Sequence, residues 1–248
     1  MKVSVIIPCY NFDEYIEQSI LSAVNQITNF EYEILVRDDL SNDKSQINIE
    51  RVAYYHPKVK YFKPTENIGF AKNIKFLITQ SKGEYIAYLD GDDYFTDPNK
   101  LQKQVNFMDS HPEYSMTFTG HWNRELGGGY APDSTPGWLG LIGFENNEVT
   151  SEDLLKSNYV TFGRMFRNKK NLIKEWIMDL PFFDWPLNYE ISRIGKIKFL
   201  NFPSGVYRIH TQSLYSTTSE EIKRNNINVV KNKIAEIHKE YETKESLG

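Results

Sequence analysis

Three short polar clusters hold the residues that could do chemistry. Asp90, Gly91, Asp92 and Asp93 follow the apolar run YIAYL at 85–89. Carboxylates this close repel one another unless a cation holds them. They are hard oxygen ligands, suited to Mg²⁺ or Mn²⁺ beside a diphosphate. Gly91 permits a tight turn that lets a phosphate approach. A solvated acidic turn is the plain alternative for this cluster taken alone. Asp38 and Asp39 follow EILV at 33–36 and either cap a turn or accept hydrogen bonds from a base or a ribose. Pro8, Cys9, Tyr10 and Asn11 follow VSVII at 3–7, and Tyr10 is placed to stack on a nucleobase.

The elements around these clusters give them a common direction. The runs at 3–7, 33–36, 59–62 and 85–89 read as short buried strands. Between them, helical spacing predicts a helix from an Asp13 N-cap to about Gln26. Further helices are expected over 45–55 and over 71–82, the last closed by Gly83. Alternating strands and helices predict an α/β layer on a parallel sheet. Ligands of such sheets bind beyond the carboxyl ends of the strands, where all three clusters would converge. The second half is less regular. A helix is expected over 101–110, strands over 114–118 and 162–166, an N-cap at Ser151 and a helix over 184–194. Strands at 197–200 and 206–209 and a charged helix over 219–243 complete it. Gly127–Gly129 and 132–143 read as a mobile loop. The expectation is a single domain over 1–248, with halves at 1–110 and 111–218 and a terminal helix over 219–248.

Composition narrows the function classes. Of 248 residues, 40% are hydrophobic and 25% charged, an ordinary globular balance. The net charge of −4 gives no reason to expect a nucleic-acid partner. Cys9 is the sole cysteine, so no internal disulfide can form, which fits a reducing compartment. No apolar stretch approaches the ~18 residues of a membrane span. Tyrosine is abundant, at 16 residues, and its flat apolar face with a polar edge suits sugar rings. Neither G-x-G-x-x-G after the first strand nor G-x-x-x-x-G-K-[ST] is present, which argues against a dinucleotide dehydrogenase and a P-loop phosphotransferase.

The segments VSVIIPCYN, EILVRDDLSND, NIGFAKN and KGEYIAYLDGDD, in that order over 3–93, resemble glycosyltransferase family 2. The resemblance implies a GT-A fold: a Rossmann-like, mostly parallel sheet flanked by helices, with a C-terminal acceptor-side half. It implies a nucleotide-sugar donor, commonly a uridine diphosphate sugar, and Mn²⁺ or Mg²⁺ as cofactor. By the same resemblance Pro8, Cys9, Tyr10, Asn11, Asp39, Asn67, Gly69 and Lys72 form the nucleoside site. Asp90, Gly91 and Asp92 hold ribose, metal and diphosphate. Arg37 and Leu40 depart from the family pattern, which usually has a small or apolar residue at the first position and glycine or asparagine at the second.

Further on, FDWPL at 183–187, GKI at 195–197 and YRIH at 207–210 are similar to a bacterial, non-processive branch. That similarity makes Asp184 the catalytic base and His210 the third metal ligand with Asp90 and Asp92, or a diphosphate contact. Local readings compete: an N-cap for Asp184 and a structural role for His210. Trp122, Trp138 and Trp185 are candidates for stacking on sugars, and 127–143 for a lid. The expected activity is inverting, metal-dependent transfer of a sugar to a glycan, lipid-linked or protein acceptor in bacterial surface-glycan synthesis. The expected location is cytoplasmic, at or near the inner face of the membrane. The rival readings are a sugar-phosphate nucleotidyltransferase and a non-catalytic sugar-nucleotide-binding module.

Overall fold

The computed structural model describes residues 1–125, 145–210 and 218–246. The chain runs β1 (Val3–Cys9), α1 (Ile16–Val24), β2 (Tyr32–Asp38), α2 (Ser45–Tyr55), β3 (Val59–Phe62), α3 (Phe70–Gln80) and β4 (Tyr85–Tyr88). It continues through β5 (Tyr94–Phe95), α4 (Lys100–Ser110), β6 (Tyr114–Glu125), β7 (Glu148–Val149), α5 (Ser151–Leu154), β8 (Met165–Arg167), α6 (Asp184–Ser192), β9 (Lys196–Ile209) and α7 (Glu220–Ser246).

Among the described residues, nine strands form one sheet in the order β3-β2-β1-β4-β8-β6-β9-β5, with β7 also paired to β9. The first four strands are parallel, as the alternation of strand and helix requires. β8 then runs antiparallel to β4 and β6, while β6 and β9 are parallel to each other. The first half is therefore the parallel layer expected, and the second half extends it with mixed pairings.

Both faces of the sheet are covered, so its central strands read as continuous apolar runs. Every residue of β1 and β2 is buried. The period of two sends Val3, Val5, Ile7, Ile34 and Val36 to a core with Ile16, Ile20, Ile49 and Leu101 from α1, α2 and α4. Ile6 and Leu35 point the other way, to Ile74 and Leu77 of α3, Leu187 and Ile191 of α6, and Val230 and Ile234 of α7.

Several local expectations need correction. α1 starts at Ile16 after Tyr15, and Asp13 does not cap it. The Asp13 amide instead donates to Asp43 Oδ2 at 3.0 Å, and the Asp13 carbonyl accepts from Asn48 Nδ2 at 2.9 Å. Segment 11–15 is thus tied to the turn before α2. The cap of α5 is Thr150, one residue before Ser151, in a reciprocal capping box with Asp153. The separate strands expected at 197–200 and 206–209 are one strand, β9. Its pairing with β6 shifts register around Gly120, which faces Pro203, so the proline sits at an irregularity and not in regular ladder. The glycine-rich segment 127–143, with Trp138, lies outside the described residues.

Candidate active site

The parallel strands β2, β1 and β4 end side by side, and their polar ends meet at one rim. Cys9 pairs with Asp38 in register, and the Asp39 amide donates to the Cys9 carbonyl at 2.8 Å. On the other flank, a Cβ at Gly91 would sit 2.6 Å from the Pro8 carbonyl, so the acidic turn packs directly on the end of β1. Close backbone approach, and not a left-handed backbone angle, explains this glycine.

Around β1 and β2 the predicted nucleoside residues separate into two groups. Tyr10 is 47% exposed, and Asn67, Gly69 and Lys72 are also open to solvent. Pro8, Cys9 and Asp39 are buried, so Pro8 and Cys9 support the site without offering their side chains to a ligand. Burial pushes the Cys9 thiol well above its ordinary pKa. Asn11, with φ at 57°, accepts from the Asn42 amide at 3.0 Å and joins the ends of β1 and β2.

Asp39 has protein partners on both oxygens. Oδ1 accepts from the Ile68 amide at 2.9 Å and Arg37 Nη1 at 3.1 Å; Oδ2 accepts from the Gly69 amide at 2.8 Å. Its carbonyl accepts from Asn67 Nδ2 at 2.8 Å. Arg37 itself is buried and also bonded to Asn73 Oδ1. Asp39 therefore fastens the turn 67–69, where Gly69 takes φ 84°, to the end of β2. Leu40 and Phe70 flank this rim, 45% and 46% exposed.

The acidic turn is held from β9. Asp93 is buried and its Oδ1 accepts the Arg208 amide at 2.9 Å. The Arg208 guanidinium donates to the Asp92 carbonyl and to Gln18 and lies 4.4 Å from the Tyr94 ring centre. Burial, then Asp92 and Asp90, raise the Asp93 carboxyl well above the carboxylate range. Just past β9, His210 Nε2 lies 3.0 Å from Asp92 Oδ2, with the Tyr15 ring 4.7 Å away.

Asp90 turns to a different neighbourhood. Its Oδ1 accepts from the Tyr88 hydroxyl at 2.5 Å. Burial first, then Asp92, pushes its carboxyl up to about 7, against the opposing pull of Arg164. The expected triad of Asp90, Asp92 and His210 is thus not assembled: among the described residues no three His, Cys, Asp or Glu side chains converge on a cation position. Asp92 and His210 do form an oxygen–nitrogen pair. Such a pair fits a Mg²⁺ or Mn²⁺ ion that takes its remaining ligands from substrate phosphates and water.

Asp184 starts α6 without capping it; the N-cap position is Phe183 and no side chain bonds there. Its carboxylate, 37% exposed, is directed back to the sheet. Asn158 Nδ2 donates to Oδ2 at 2.7 Å, and Arg164 Nη1 lies 3.8 Å from the same oxygen. Arg164 also stacks 4.3 Å from the Tyr88 ring centre. Through Arg164 and Tyr88, Asp184 and Asp90 face one another across the site, although they stand 94 positions apart in the sequence. No sequence signal marked Arg164 or Asn158. Trp185 is no sugar platform: it is 3% exposed, with Nε1 bonded to the Leu154 carbonyl at 2.7 Å. Trp122 is 36% exposed on β6. A cavity of about 540 Å³ beside α1, lined by Glu14, Gln18 and Tyr94 among others, contains none of the predicted site residues.

Comparison with known proteins shows the family and the fold. The family model "Glycosyl transferase family 2" matches residues 4–172. An uncharacterised protein of Mycobacterium tuberculosis is 30% identical over 216 residues, 86% of this chain and 60% of its own length. The chain thus spans about three-fifths of such relatives. The putative teichuronic acid biosynthesis glycosyltransferase TuaG of Bacillus subtilis is 29% identical over 158 residues, 64% of this chain and 58% of TuaG. The structure of S. aureus TarS residues 1–349 in complex with UDP-GlcNAc aligns with TM-score 0.65 at 21% identity. That alignment covers 88% of this chain and 62% of TarS 1–349, and shows a shared fold. With the family model matched over more than half of the chain, the chain belongs to glycosyl transferase family 2 and has the GT-A fold.

Proposed function

We propose that the chain is an inverting, metal-dependent enzyme that transfers a sugar from a uridine diphosphate sugar to an acceptor hydroxyl in bacterial surface-glycan synthesis. The observation that carries this reading is the placement of Asp184. A half-exposed carboxylate from the second half of the chain faces the acidic turn at the end of β4. A base on one side and a leaving-group site on the other is what direct displacement requires.

In this reading 1–110 binds the nucleotide and 111–218 supplies the acceptor site and the base. Tyr10 stacks on the base, while Asn67, Gly69 and Lys72 line the nucleoside site that Asp39 holds in shape. Asp90 and Gly91 border the ribose and diphosphate. Asp92 and His210 would hold Mn²⁺ or Mg²⁺. A bound divalent ion supplies charge neutralisation for the departing diphosphate. The acceptor hydroxyl gives its proton to Asp184 as its oxygen bonds to the anomeric carbon. The bond from that carbon to the diphosphate breaks on the opposite face, and the nucleotide leaves with the electron pair. Support for a uridine nucleotide comes from TarS, described with UDP-GlcNAc, and for a surface glycan from TuaG, named for teichuronic acid biosynthesis. No described helix is long and apolar enough to cross a membrane, and the lone Cys9 fits the cytoplasm, where we place the reaction.

The test is incubation with a panel of UDP-sugars and Mn²⁺, with free UDP measured. UDP release from at least one donor is expected, since water is a slow acceptor. Pyrophosphate release from a nucleoside triphosphate and a sugar phosphate, with no UDP from any donor, would instead identify a nucleotidyltransferase.

A further inference from the structure

The surroundings of Asp184 distinguish its two oxygens. Oδ2 receives both neighbours: Asn158 Nδ2 at 2.7 Å and Arg164 Nη1 at 3.8 Å. Among the described residues, no hydrogen bond engages Oδ1. Asn158 is itself fixed, because its Oδ1 accepts from Asn188 Nδ2 at 3.0 Å and from the Val160 amide at 3.3 Å. Asn188 is fully buried on α6 and also donates to the Val160 carbonyl at 3.0 Å. This chain of amides leaves Asn158 one orientation, with its NH₂ toward Asp184.

Arg164 is a costly residue to place here. It is 6% exposed, and its Nε is buried with no hydrogen-bond partner among the described residues. An unpaired buried donor on a cation destabilises the fold. What Arg164 does have is position. It leads into β8, its carbonyl accepts the Tyr88 amide at 3.0 Å, and its guanidinium lies between the Tyr88 ring and Asp184. Its charge acts on Asp90 as well.

We infer that Asn158 and Arg164 are positioning residues that hold Asp184 by Oδ2, so that Oδ1 is the atom that takes the acceptor proton. This rests on Asp184 being the base. An aspartate with both oxygens free rotates about its terminal torsion, and a misplacement of 1 Å at a reacting centre costs about 10²-fold in rate. Pinning one oxygen removes that freedom. The arginine cation also keeps Asp184 and Asp90 from repelling each other across the site.

The experiment compares wild type with Asn158→Ala, Arg164→Met and Arg164→Lys, each shown folded by its thermal transition, using whichever UDP-sugar the wild type turns over. For Asn158→Ala and Arg164→Met the expected result is a fall in kcat of roughly 10–100-fold with donor KM changed by no more than about twofold. Arg164→Lys should recover a substantial part of kcat, because it restores the cation near Oδ2. An unchanged kcat in both Asn158→Ala and Arg164→Met overturns the inference while leaving Asp184 as the base. So does a parallel loss of kcat, donor affinity and thermal stability that lysine fails to restore, which is the signature of a purely structural role. If Arg164→Met does not fold, Asn158→Ala and Arg164→Lys decide by the same criteria. Full turnover in Asp184→Asn overturns the underlying reading, and the inference with it.

Discussion

His210 and Asp92 stand 118 positions apart in the sequence and 3.0 Å apart in space. The contact joins the end of β9 to the acidic turn after β4, and Arg208, two residues earlier, locks the same turn through Asp93 and the Asp92 carbonyl. If this pair holds the divalent ion, Asp92→Ala should weaken Mn²⁺-dependent UDP binding by at least roughly 10–100-fold, the scale set by losing groups that support a metal. His210→Ala should weaken it in the same direction. Titration calorimetry of UDP with and without Mn²⁺ gives the answer: a metal-dependent affinity unchanged in Asp92→Ala removes this residue from the site.

Asp39 is expected to act through the turn it fastens. Removing its carboxylate frees the Ile68 amide, leaves the Gly69 amide only its 3.2 Å bond to Asn67 Oδ1, and leaves buried Arg37 without its ionic partner. Breaking one side of a buried pair costs about 3 kcal/mol or more. Asp39→Ala should therefore lower both unfolding free energy and donor affinity, whereas a residue that only touched the base would lower affinity alone. Urea unfolding with UDP titration checks both parts.

Lys100 provides a pH-dependent test of the core. It is fully buried at the start of α4, donates to Gln104 Oε1 at 2.6 Å and lies 4.4 Å from the Phe95 ring centre. Burial pushes its pKa down to about 7. The folded value lies below the unfolded one, so the unfolded chain binds more protons between them, and stability rises with pH across that window. From pH 7 to 9 the wild type should gain up to about 2.7 kcal/mol relative to Lys100→Met, at about 1.36 kcal/mol per unit. Urea denaturation at pH 7, 8 and 9 measures the difference, and parallel pH curves for the two proteins would refute it.

What the sequence made legible is local. Helix 45–55 and strand 59–62 follow from short-range periodicity and match α2 and β3 residue for residue. The polar strand ends were readable to within two residues: the apolar runs locate the strands, but β1 continues through Pro8 to Cys9 and β2 through Arg37 to Asp38, because pairing with neighbouring strands and not residue type sets where they stop. The strain at Leu40 was foreshadowed by its departure from the family pattern: its φ of 64° is the left-handed conformation that glycine or asparagine adopts at lower cost. Contacts between distant segments left no such mark. Arg164 reaches Asp184 and Tyr88 only once β8 pairs with β4, and Asn158 reaches Asp184 only once α6 packs beside it. Ser151 and Thr150 are both residue types that cap well, and the Asp153 partner places the cap at Thr150.

In the proposed reaction Asp184 takes the acceptor proton. Asp184→Asn keeps the shape of the side chain and removes its basicity, so donor binding and turnover should separate. With the donor that wild type turns over, kcat should fall by roughly 10²–10⁴-fold, while the donor dissociation constant stays within about twofold of wild type. A variant that binds donor and transfers at the wild-type rate would exclude Asp184 as the base.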